Sequence, residues 1–197
     1  MSNIILAGSA SGAGTMTVQA PVTSSNRVLT LEDTNGTLSP LVQSTPVATT
    51  SGTTIVLATA IPSWVKRITV ALGAVSTNGT SFPLIQFGTD ATPTYVTTGY
   101  ASTSDNYTAT AGPIGTSTAG FRIGSSSSAA AAWSGLYVFI SPGSNIWVGS
   151  LGGTDRATGV LFGGGTVTLA SAPTAIRLTT INGTDIFDAG TVSILYE

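Results

Sequence analysis

Charge is scarce in this sequence. Of 197 residues, 6 are Lys or Arg and 8 are Asp or Glu, so charged side chains make up 7%, against ~25% in ordinary soluble domains. Hydroxyls must therefore wet much of the surface, and 58 residues are Ser or Thr. Disordered chains combine low hydrophobicity with high net charge; here 42% of residues are hydrophobic and the net charge is −2, so a folded chain is expected. Cysteine and histidine are absent, and Lys66 is the sole lysine. Disulfides, zinc-thiolate sites and the Ser-His-Asp, Cys-His and His-metal constellations are thereby excluded, and no cofactor is expected. No apolar run approaches the roughly 18 residues of a membrane-spanning helix; the longest candidate, "AAAAWSGLYVFI", is broken by Ser134 and Gly135, so no membrane insertion is expected. The opening "MSNIILAGSASGAG" has no cationic n-region, so no secretory signal is predicted. Basic blocks are missing and the pI is about 4.8, which removes the electrostatic footprint of nucleic-acid binding.

Strong helix formers are also few: two Glu, one Lys and three Gln. β-Branched residues and glycine dominate instead, a composition that favours strands. From residue 53 onward, short apolar segments recur, among them "TTIVLAT", "VKRITVAL", "SGLYVFI", "NIWVGSL", "GVLFG", "GTVTLA" and "TVSILYE". Asn78-Gly79, Pro142-Gly143, Gly152-Gly153 and Asn182-Gly183 are the expected turns between them. Closely spaced strands with such punctuation predict an all-β sandwich or barrel of roughly nine to eleven strands. Within "KRITVAL", Ile68, Val70 and Leu72 fall on one face while Arg67 and Thr69 take the other. "SSSSAAAA", residues 125–132, is expected to be a surface loop, and "GGGT", residues 163–166, a loop or bulge.

Pro40 and Pro46, set among Ser and Thr, predict a linker after an N-terminal arm. The arm is assigned to residues 1–46 and the sandwich to residues 47–197. Within the arm, Met16 and Val18 share one side of a short strand, and Leu29 and Leu31, beside Val28, share one side of the next. Two isolated strands do not hold a fold in water, so this stripe needs a partner.

For chemistry, carboxylates remain. Asp155, Asp185 and Asp188 are the candidates for a glycosidase-like pair, and "DAGT", residues 188–191, echoes the Asp-Thr-Gly of aspartic proteases but lies nine residues from the final residue, too close for a substrate flap. Turn-capping is the plainer role for these acids. Four Asn-x-Ser/Thr sequons start at Asn35, Asn78, Asn106 and Asn182; three are Asn-Gly-Thr, the preferred pair for tight hairpin turns. Among the aromatics, Tyr95, Tyr100 and Tyr107 lie in a Thr- and Ser-rich stretch. They, with Trp133, are the candidate receptor or sugar contacts.

"IPSWVKRITVAL" followed by "GAVSTNGTS", together with the closing "AIRLTTINGTDIFDAGTVSILYE", resembles a β-rich domain at the ends of bacteriophage tail-fibre-like proteins. The opening "TVQAP" strand followed by "SNRVLTLEDTNGTL" resembles a fibre-associated segment of the same proteins. The resemblance touches about half of the chain and includes no catalytic motif. It implies a homotrimeric virion protein whose sandwich is jelly-roll-like, held on other virion proteins by its arm and meeting a host surface glycan. Three copies of the stripe Met16, Val18, Val28, Leu29 and Leu31 burying one another around an axis is the physical expectation that accompanies it. The expected role is that of a short tail fibre or fibre tip, with a capsid decoration or head-fibre protein, an Asp-dependent depolymerase and a bacterial adhesin as rivals.

Overall fold

A computed structural model of the chain describes residues 40–107, 114–125, 128–156 and 159–197. Fourteen strands and no helix occur among them. They are β1 (Val42–Gln43), β2 (Val47–Ala48), β3 (Thr54–Thr59), β4 (Arg67–Thr77), β5 (Pro83–Thr89), β6 (Thr94–Tyr95), β7 (Ala101–Tyr107), β8 (Gly115–Ser117), β9 (Phe121–Arg122), β10 (Trp133–Gly143), β11 (Ile146–Asp155), β12 (Gly159–Thr168), β13 (Ala175–Thr180) and β14 (Phe187–Tyr196). The stripe residues Met16, Val18, Val28, Leu29 and Leu31 lie outside the described residues.

Two antiparallel sheets enclose one core, as the all-β sandwich reading expects. The larger, nine-stranded sheet runs β1-β14-β4-β10-β11-β12-β7-β8, with β2 also on β14; the smaller runs β3-β13-β5-β6, with β9 on β5. Period-2 alternation explains the layering: in β4, Ile68, Val70 and Leu72 are buried, while their neighbours Arg67, Thr69 and Ala71 are not. Ile85, Phe87, Ile176 and Leu178 face them from the smaller sheet within the same cluster.

Aromatic rings fill the middle. The Phe121 ring lies 4.8 Å from Phe139 and 5.9 Å from Phe87, and Tyr137 stacks on Phe139 at 4.6 Å with 5° between planes. Tyr137 and Phe139 are two apart on β10 and so share a face. The strand opposite makes room for them with a glycine: a Cβ on Gly149 would stand 2.7 Å from the Tyr137 ring and 2.8 Å from Phe139.

Several expectations fail for identifiable reasons. "GGGT" is neither loop nor bulge; Gly163, Gly164 and Gly165 continue β12 in unbroken register with both β11 and β7. A Cβ on Gly163 would meet the Thr103 carbonyl at 2.6 Å and one on Gly165 the Ala101 carbonyl at 2.5 Å, so glycine here serves close strand approach, not a turn. Gly152-Gly153 likewise lies inside β11. The hairpin between β10 and β11 is made instead at Ser144 and Asn145, both left-handed (φ 52° and 56°), the signature of a two-residue type I′ turn. The stretch around Pro40 and Pro46 is more than a linker: β1 and β2 pair with β14 along the sheet border, so sheet residues begin by Val42, ahead of the boundary set at 47. No helix among the described residues is long and apolar enough to cross a membrane.

Candidate functional site

Of the four candidate contact residues, two are in the core. Trp133 is fully buried, pointing inward from the start of β10. Tyr100 is 2% exposed; its ring meets Phe121 at 5.1 Å and its hydroxyl accepts the Phe87 N–H at 2.9 Å. Burial pushes the Tyr100 phenol up to about 12, with the Phe87 N–H and the Arg177 charge opposing. The expectation that Tyr100 and Trp133 contact a receptor is corrected: neither reaches the surface, because both are needed as core volume. Tyr95 and Tyr107 do reach it. Tyr95 lies under the Arg177 guanidinium, 4.2 Å from carbon to ring centre, and Arg177 Nε donates to Gln86 Oε1 at 2.8 Å. Tyr107 is exposed at the end of β7, opposite Val160.

The acids hold backbone and loops. Asp155 Oδ2 accepts from Asn106 Nδ2 at 2.9 Å and its Oδ1 takes the Ala132 N–H at 3.3 Å, all in a buried setting. Asp185 ties two loops together, accepting from Asn182 Nδ2 at 2.6 Å and the Ser81 N–H at 2.7 Å; those bonds hold its carboxyl below the usual value. Asp188 is exposed on β14. Among the described residues no three acids gather as a metal site. Asn106, the first residue of its sequon, lies inside β7 with its side chain buried, so its amide is occupied by structure and is not open to a glycan. Asn78 and Asn182 are loop residues whose side-chain oxygens accept the N–H groups of Ile186 and Thr184 at 2.9 and 3.0 Å.

The feature without a structural use is the outer face of the nine-stranded sheet. Register carries one row across it: Ser193, Ala71, Leu136, Gly152, Phe162 and Asp105 are successive partners from β14 to β7. Beside Leu136 and Phe162 stand Ile140, Val148 and Val160. These five are 48–53% exposed; Ile140 and Val148 are direct ladder partners, and Gly152 stands between Leu136 and Phe162. One charged pair borders them, Arg67 Nη1 to Glu197 Oε1 at 2.7 Å, the one ion pair among the described residues.

Where β12 meets β7 the face sinks into a pocket of about 400 Å³, lined by Ala101, Thr103, Asp105, Ile114, Phe162 and the glycines 163–165, with Ser104. Asp105 is 8% exposed. Its Oδ1 accepts the Asn106 N–H at 2.8 Å and the Ser125 hydroxyl at 2.6 Å; among the described residues no donor meets Oδ2. Phe162 and Asp105 were missed in the sequence because "ASTSDNY" has too little apolar character to announce a strand, and "VLFG" gives no sign of which face is wet.

Compared with known protein families, curated proteins and solved structures, the chain matches none.

Proposed function

We propose that this chain is a non-enzymatic structural protein of a bacteriophage particle, a short tail fibre or fibre tip. It assembles as a homotrimer, attaches to other virion proteins through residues 1–46 and meets a host surface glycan with loops of the sandwich. The observation that carries the assembly half is the apolar outer face. Half-exposed Leu136, Ile140 and Val148 on adjacent strands β10 and β11 leave apolar area that association removes from water at roughly 25 cal/mol per Å². Further copies of the same chain are the fitting occupant, because a face with no charge at its centre meets its own copy without like-charge repulsion. The virion half is supported by the resemblance of the segments at residues 61–81 and 175–197 and by the shortage of catalytic groups in the sequence.

Two measurements test it. Light scattering on the full chain gives three times the 19.6 kDa chain mass if the assembly is right; a monomer at all concentrations overturns it. Immunogold labelling of intact particles with antibody against residues 47–197 then places gold on the tail for a fibre. Gold over the head assigns a head-fibre or decoration protein instead, and no gold on any particle overturns the virion reading.

A further inference from the structure

The pocket between β7 and β12 holds a carboxylate oxygen that the fold leaves unused. We propose that it is a binding site for an organic cation, an alkylammonium or alkylguanidinium group on an aliphatic stem, with Asp105 as counter-ion and Phe162 as the ring it lies against.

The first support is Asp105 itself. Its carboxylate lines the pocket although the residue is only 8% exposed, and a charge held so largely out of water is stabilised by an opposite one. Here Ser125 and the Asn106 N–H answer Oδ1 alone. The nearby cation of the fold is committed elsewhere: Arg122 spends its guanidinium on the carbonyls of Gly124, Thr116 and Ser125 at 2.8, 3.3 and 3.5 Å and over the Phe82 ring at 3.6 Å, and it makes no ion pair with Asp105. The second support is the wall. Phe162 is the direct ladder partner of Asp105, so the two side chains leave the same face from neighbouring backbones about 4.8 Å apart. An aromatic face beside a carboxylate attracts a cation from two sides. The third is what else lines the pocket: Ile114, Ala101 and three glycines are apolar or bare, and of the two hydroxyls, Thr103 and Ser104, the second already donates to the Gly124 carbonyl at 2.8 Å. A neutral sugar needs many polar partners and finds few here, whereas a cation on a hydrocarbon stem needs one counter-ion and apolar contact along its length. The volume of about 400 Å³ falls in the lower part of the roughly 300–1,000 Å³ range of small-ligand sites.

The trimer reading rests on Leu136, Ile140 and Val148 of β10 and β11, whereas the ring of this site is Phe162 on β12, so the two fail separately. The full chain is titrated with n-butylammonium chloride, and chemical-shift changes at Gly163, Gly164 and Thr103 are followed beside n-butanol and methyl α-glucoside as neutral probes. Saturable shifts with the ammonium alone are expected, weakened about tenfold or more by Asp105→Asn, as loss of a charge-assisted bond implies. Phe162→Leu weakens binding while leaving the Asp105 bonds in place, and serves if Asp105→Asn fails to fold. A tripeptide with a central lysine, blocked at both ends, separates the sources: tighter binding than butylammonium assigns a protein side chain, equal binding a free amine. Saturation by the glucoside, or no saturable shift with any cation, overturns the proposal.

Discussion

Gly149 and Gly152 sit three residues apart in β11 and predict opposite responses to one added methyl group. Gly149 points inward. Its Cβ would enter to within 2.7 Å of Tyr137 and 2.8 Å of Phe139. Neither ring has room to withdraw, since the two stack at 4.6 Å and Phe139 is backed by Phe121 at 4.8 Å and Phe87 at 5.2 Å. Overpacking of this kind costs about 1–3 kcal/mol, which for a domain of this size lowers Tm by about 2–12 °C. Gly152 points outward with nothing within 4 Å of its Cβ position, and alanine there trims the entropy of the unfolded chain, a gain of about 0.4–1 kcal/mol. Urea unfolding and thermal melts of Gly149→Ala and Gly152→Ala, each at one protein concentration, measure both. Adding Phe139→Leu to Gly149→Ala should restore part of the loss, because the two groups touch and their effects couple. If Gly149→Ala matches the parent chain, or Gly152→Ala is the more harmful, the assignment of faces in β11 is wrong.

On the outer face, Leu136→Thr with Ile140→Thr removes two half-exposed anchors worth about 1 kcal/mol each when covered. Over three protomers that is about 6 kcal/mol, enough to raise the midpoint concentration of trimer dissociation about 150-fold by sedimentation; an unchanged midpoint rejects the face as the contact. Alkaline pH destabilises the fold. Tyr100 rises from 10.0 to about 12 on folding, and Tyr137 rises too through burial, so their stabilisation is complete below pH 10 and is lost as pH climbs through the folded value. For Tyr100 alone the loss reaches about 2.7 kcal/mol at 1.36 kcal/mol per pH unit; a Tyr100→Phe chain should show a shallower fall of unfolding free energy between pH 10 and 12. Asp185, held below its usual value by Asn182 and Ser81, acts in the other sense, supporting its loops above pH 3.8 and releasing them as pH falls through its folded value. Asp185→Ala should speed amide exchange at Ser81 at neutral pH while global stability moves by about 0.5 kcal/mol or less.

The strands easiest to foresee were those whose apolar residues face the core in strict alternation, such as Ile68, Val70 and Leu72 of β4. β7 was illegible for the reverse reason. Its inward residues Ser102, Ser104 and Asn106 are polar and pay no hydrophobic signature into the sequence; they are satisfied by long-range partners, Ser104 Oγ on the Gly124 carbonyl at 2.8 Å and the Arg122 N–H on Ser102 Oγ at 2.9 Å. Glycine misled twice, in "GGGT" and Gly152-Gly153, because a glycine required for close strand approach looks the same in sequence as one required by a turn. The split among the tyrosines was equally hidden: Tyr100 and Tyr107 share a Ser- and Thr-rich neighbourhood, and pairing partners 13 and 53 residues away, Phe87 and Val160, decide that one is core and the other surface. The pocket depends on Phe162 and Asp105 meeting across a strand pair, a relation that only register creates.

β14 lies between β4 and the short border strands β1 and β2, yet it is synthesised after every other strand of the sandwich. Residues 78–186 separate it from β4, which at 5–20 residues per second is about 5–20 s of translation. Through that interval the eleven residues of β4 offer an unpaired edge, the kind of edge that templates pairing with another chain. A ribosome that stalls before residue 187 therefore leaves a sticky fragment, while one that finishes supplies the strand that caps it. The order of synthesis makes the nine-stranded sheet its own proofreader: it closes on chains that have reached β14, and the same open edge gives crowded nascent chains their readiest route to exchange strands.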